Sequence, residues 1–179
     1  MFENRLNSPE VDLNQVLNDL ELMREAEILR EYYHFIQGDH IQAEVPFALI
    51  LVSIHSFDHL VQQHGVDVMK EALMEINKYL AQKKGSSDII FRMPTQQIWA
   101  LLVTKSSKEA AKFLEKLIRN APSITGGGDL IISLKLSGCI VEASPERVDI
   151  ERMLETGKIQ LEEALNSEPF TVKVVKCRD

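Results

Sequence analysis

His55 and His59 stand four residues apart, the spacing that puts two imidazoles on one face of a helix and can hold zinc, and His64 follows close behind. A metal centre needs more than that pair. No cysteine lies near them in the sequence and no His-Glu-x-x-His pattern occurs, so solvated surface histidines are the simpler expectation. Thr125-Gly126-Gly127-Gly128-Asp129 could offer a nest of backbone amides to an anion, but its composition is equally that of a plain loop, the reading adopted. Cys139 and Cys177 are far apart and lack Cys-x-x-Cys spacing, which argues for reduced thiols rather than a zinc site or a disulfide framework. No metal and no cofactor is expected.

The chain has 179 residues, 45% of them hydrophobic, enough for one domain with a substantial core and an appendage. Its net charge of −7 and isoelectric point near 5.3 repel phosphate backbones. The basic residues are scattered among acids, and the strands lack the aromatic pair with which an RNA-binding sheet stacks bases, so nucleic acid is not an expected partner. The N-terminal Met1 to Gln15 has no apolar core, and the longest apolar run, Phe47 to Val52, falls far short of the ~20 residues that span a bilayer. A cytoplasmic protein without a membrane partner is expected.

Ser8-Pro9-Glu10 has the form of a helix start, and Gly38 that of a stop, so a first helix is expected from about Pro9 to Gln37. Within it Leu22, Ala26, Leu29, Tyr33 and Ile36 follow the 4-3 spacing of a short coiled-coil seam, a candidate dimer interface, although packing onto the domain would give the same stripe. Residues 1–38 thus form an N-terminal helix and possible dimerisation element, and 46–177 the main domain. Phe47 to Ile54 is apolar on both faces, the mark of a central strand covered by helices on each side. Helices are expected over Phe57–His64 and Val66–Lys83, strands over Ile89–Arg92 and Ile98–Thr104 with a tight turn between, and a helix opened by the capping box Ser106-Ser107-Lys108-Glu109. A strand from Leu130 to Val141, a helix from Ser144-Pro145 to Asn166 and a final strand, Phe170 to Lys176, complete an α/β sandwich.

That order, and the string from PFALILVSI through FDHLVQQHG to SDIIFRMPTQQIWALLV, resembles the GGDEF domain of diguanylate cyclases. The resemblance implies a palm-like fold with a central, mostly antiparallel five-stranded sheet flanked by helices, plus the extra N-terminal helix. At the Gly-Gly-Asp/Glu-Glu-Phe signature this chain reads Pro94-Thr95-Gln96-Gln97-Ile98. By the same matching, Ser53 stands at the strand-end metal aspartate, Val61 at the guanine-reading asparagine and Lys70 at its aspartate partner. Pro94 has no amide hydrogen to offer a phosphate, Thr95 adds a branched side chain, and the amides of Gln96 and Gln97 neither balance a divalent cation nor act as a base. In the family's Arg-x-x-Asp inhibition motif Asp88 keeps the acid, but Gly85 replaces the arginine, so tight cyclic di-GMP binding is not expected there. Gly157 and Ala164 stand loosely at an aspartate and a phosphate-facing lysine.

These replacements imply a catalytically inactive GGDEF-like domain, not an enzyme, that acts as a protein-interaction or regulatory module in bacterial cyclic di-GMP signalling. Its partner would be a second copy or another signalling protein, through the N-terminal helix or the old active-site face. Trp99, beside the degenerate turn, is a candidate interface residue if exposed and a core residue otherwise. The alternative is a sensor whose emptied cleft binds a nucleotide or other small molecule through Thr95, Gln96, Gln97 and Lys70.

Overall fold

The computed structural model describes residues 47–86, 88–93, 97–143 and 149–177. The expected N-terminal helix, with Leu22, Ala26, Leu29, Tyr33 and Ile36, lies outside the described residues, as do Pro94, Thr95 and Gln96. In chain order the elements are β1 (Ala48–Ile54), α1 (Phe57–His64), α2 (Val66–Lys83), β2 (Ile89–Met93), β3 (Ile98–Val103), α3 (Ser107–Arg119), β4 (Ser123–Thr125), β5 (Ile131–Ser133), β6 (Leu136–Glu142), α4 (Ile150–Leu165) and β7 (Val172–Lys176). Five strands form one sheet in the order β2-β3-β1-β6-β7, antiparallel except for the β6-β7 pair, and β4-β5 is a separate hairpin.

Every residue of β1 is buried because the strand lies at the centre of the sheet with helices on both faces. The two-residue period of the strand divides the core in two. Ala48, Ile50, Val52 and Ile54 join Trp99, Leu101 and Val103 of β3 under α2 and α3, while Leu49 and Leu51 join Ala100, Leu102, Cys139 and Val141 against α4. Helix α2 meets the sheet through Met69, Ala72, Leu73, Ile76 and Leu80, a stripe at helical spacing. Between α1 and α2, Gly65 takes φ 89°, a turn that a residue with a Cβ adopts only under strain.

Helix α3 begins as the sequence indicates: Ser106 Oγ accepts from the Glu109 amide at 3.3 Å, and the Glu109 carboxylate accepts from the Ser106 amide at 3.1 Å. Two expectations need correction, and the alternative left open for Trp99 is resolved. The run Leu130–Val141 is not one strand: it breaks into β5 and β6 at Leu134-Lys135, where the Lys135 carbonyl turns to accept the His55 amide at 2.7 Å. β5 pairs instead with β4, a strand the sequence did not suggest. The last helix starts at Ile150, where the extended Asp149 caps the Arg152 amide at 3.1 Å, and its expected start at Ser144-Pro145 lies outside the described residues. Trp99 is fully buried, so it is a core residue and not an interface; β3 lies between β2 and β1, and the indole packs in the cluster that α2 and α3 cover.

Candidate functional site

The end of β1 and the β2-β3 hairpin meet at the edge of the core, and Ser53 is where they touch. Antiparallel pairing sets Ser53 beside Ile98 on one side and Ser137 on the other. Only 4% exposed, its hydroxyl donates to the Gln97 carbonyl at 3.0 Å. Gln97 has left-handed backbone, φ 53°, uncommon for a residue with a side chain. The hairpin's exit is thus fastened to the strand end by a neutral hydrogen bond.

This arrangement does not fit a hard divalent cation. Such ions are held by several oxygens, usually including carboxylates, whereas Ser53 brings no charge and directs its proton to a carbonyl that could otherwise have been a ligand. Among the described residues no three His, Cys, Asp or Glu side chains gather into a metal-holding group. His55, His59 and His64 therefore do not converge on zinc: His59 is exposed, His55 and His64 half-buried.

The positions aligned with base reading diverge. Val61, on α1, is half-buried and packs against the core, a contact its apolar side chain favours, whereas Lys70 on α2 is exposed. Gln97 is half-buried. The structure brings Ser53 and Gln97 together and leaves Val61 and Lys70 on the two helices beyond.

Asp88 is 4% exposed and already satisfied. Its carboxylate accepts from the Gly85 amide at 2.7 Å and the Thr104 amide at 3.3 Å, with the Lys105 ammonium 4.0 Å away. Lys84 Nζ donates to the Asp88 carbonyl at 3.2 Å. A Cβ at Gly85 would come within 2.9 Å of that carboxylate, so a longer side chain there forces the clasp apart. Gly157 and Ala164 both face the core: a Cβ on Gly157 would sit 2.7 Å from Leu51 Cδ1, and Ala164 is fully buried. These two positions, loosely aligned with an aspartate and a phosphate-facing lysine, are thus core positions in this chain. The glycine-rich stretch forms the tip of the β4-β5 hairpin, closed by the Gly126 amide donating to the Leu130 carbonyl at 2.7 Å.

Sequence reasoning took His55 for a solvated surface histidine and did not foresee that it and Arg92 would each bury a polar nitrogen. His55 Nε2 and Arg92 Nε are buried without a hydrogen-bond partner, one two residues beyond Ser53 and the other two before Pro94. Burying such atoms unsatisfied costs roughly 1–3 kcal/mol each. Position beside the aligned motif was the available signal, but burial depends on contacts from distant elements. Cys139, between β1 and α4, donates its thiol to the Gly157 carbonyl at 3.1 Å, and burial pushes its pKa up to about 12, so it is not a reactive thiolate. Among the described residues no helix is long and apolar enough to cross a membrane.

Comparison with known proteins agrees with this geometry. The profile of the diguanylate cyclase GGDEF domain matches residues 31–169. The GGDEF domain of YfiN (TpbB) from Pseudomonas aeruginosa superposes with a TM-score of 0.69 at 16% identity, over 89% of this chain and 96% of that one. Diguanylate cyclase SiaD of the same organism, solved with its activator SiaC, gives 0.71 at 15% identity over 90% and 67%. The GGDEF domain of DgcB from Caulobacter crescentus, solved with c-di-GMP, gives 0.65 at 11% over 72% and 77%. No curated protein matches. With the palm-like sheet, the β1 end and the β2-β3 hairpin in their expected places, this chain belongs to the GGDEF domain family, whose members serve cyclic di-GMP signalling.

Proposed function

We propose that this GGDEF domain makes no cyclic di-GMP and acts by protein contact, as a regulatory module in that signalling system. The observation that carries this reading is the Ser53 hydroxyl donating to Gln97, which puts a neutral internal bond where the family places a metal carboxylate. A catalytic metal contributes several kcal/mol to a transition state, and each ~1.4 kcal/mol is tenfold in rate. The apolar Val61 and the self-satisfied Asp88 add support, the first against guanine reading and the second against product binding. SiaD, a relative in fold, was solved with a protein activator, so contact with a protein has a parallel in this fold.

Incubation of the purified protein with GTP and Mg²⁺, followed by chromatography, is expected to yield no cyclic di-GMP above a protein-free control. Turnover that scales with protein concentration would end this reading.

The orphaned Arg92 Nε and His55 Nε2 favour a second reading, a sensor whose cleft takes an anionic small molecule. Thermal-shift measurements with mono-, di- and triphosphate nucleotides separate the two, because a ligand that binds only the folded state raises its melting temperature. A flat panel favours the contact module.

A further inference from the structure

On the outer side of α2 the structure has a second concave surface, separate from the β2-β3 hairpin. Glu71, Met74 and Glu75 form one wall, Ser123, Ile124 and Thr125 of β4 the other, around a groove of about 310 Å³. Met74 is 71% exposed at its rim, where an apolar side chain gains nothing from water. The hairpin extends this surface, because Thr125 pairs with Ile131, and paired residues share a face; Ile131 is 73% exposed. Exposed apolar residues that adjoin a groove and carry a polar rim mark contact surfaces.

We propose that this groove docks a cationic segment of a partner protein, one in which Lys or Arg alternates with aliphatic residues. The proposal rests on the protein-contact reading above and names its surface. Among the described residues, the charged side chains lining the groove are Glu71 and Glu75, one helical turn apart, so their carboxylates lie on the same side of α2. A Lys or Arg head placed between them pairs with both carboxylates and offsets half of their charge, and the next basic residue of the segment meets the remainder. The first residue's methylene stem then covers Met74, as long basic side chains do on apolar surface. Ser123 and Thr125 offer hydroxyls to the opposite side of the segment. A second copy fits poorly, since a two-fold contact through this surface would set Glu71 and Glu75 against their own equivalents.

The test is a fluorescence-anisotropy titration of a labelled Lys-Leu-Lys-Leu-Lys-Leu peptide against the full chain and its variants. Glu71→Lys with Glu75→Lys is expected to weaken binding at least tenfold, and Met74→Ser severalfold. Glu115→Lys with Glu155→Lys, the same charge change at exposed sites elsewhere, is expected to change it less than twofold. No binding to the unaltered protein, or equal weakening by the two double variants, overturns the proposal. So does a dimer that E71K/E75K converts to a monomer in sedimentation, since the occupant would then be a second copy. Should a double variant misfold by circular dichroism, Glu71→Gln with Glu75→Gln carries the same comparison. Cyclic di-GMP production measured on the same samples separates the two readings: synthesis with site-dependent peptide binding removes the inactive-domain reading alone, and silence without such binding removes the groove alone.

Discussion

An aspartate placed at position 53 would put a carboxylate against the Gln97 carbonyl, where a hydroxyl now donates at 3.0 Å. Two acceptors then face each other in a site with 4% exposure, and an uncompensated buried charge is costly. Ser53→Asp is expected to lower stability by about 2–3 kcal/mol in urea denaturation, with no GTP turnover gained. Unchanged stability would show that the bond does not order the site. Cys139 sets a different test, since its folded-state pKa is raised from 9.0 to about 12. The unfolded chain releases this proton first, so stability is lost as pH climbs through that window, by about 1.4 kcal/mol per unit for this group. Cys139→Ala is expected to have the flatter denaturation profile between pH 9 and 11; parallel profiles would contradict it. At this scale the sequence disclosed which residues stand at the aligned positions, because that needs only order and spacing. It could not disclose that Ser53 and Gln97, 44 residues apart, bond to each other.

At the scale of elements, legibility followed local signals. Helices α1 and α2 fell at their expected bounds because Gly65 divides two amphipathic patterns, and α3 because its capping box is written within four residues. β4 was invisible, since three residues show no periodicity, and nothing like glycine or proline marks the break before β6. The groove beside α2 was hidden with it, because one wall is that unforeseen strand. The contact of β6 with β1 also depends on a close approach that no pattern announces. A Cβ on Gly138 would lie 2.7 Å from the Leu51 carbonyl oxygen and 3.0 Å from Leu114 Cδ2. Backbone cannot retreat as a side-chain tip can, so Gly138→Ala is expected to cost more than about 2 kcal/mol, measured by thermal or urea unfolding. A loss below 0.5 kcal/mol would mean that β6 shifts freely against β1.

For the molecule as a whole, the sheet's order leaves β2 and β7 as its outer strands among the described residues. The architecture was readable because a buried first strand, a hairpin and alternating helices admit few arrangements, while the pairing of β7 with β6 across the α4 crossover follows from tertiary packing. β7 reads Val172-Lys173-Val174-Val175-Lys176, with Val174 54% exposed and Lys173 held to Glu163 at 2.9 Å. Strand edges are templates for further strands, and lysines are a common guard against that. Replacing Lys173 and Lys176 with valine would leave five consecutive valines along this border. The doubly substituted chain is expected to form thioflavin-positive aggregates at concentrations where the unaltered protein stays clear, and equal clarity would argue against the guard. The two ammonium groups would then be what keeps neighbouring molecules from zipping into fibrils, so that solubility hangs on a pair of charges remote from any chemistry.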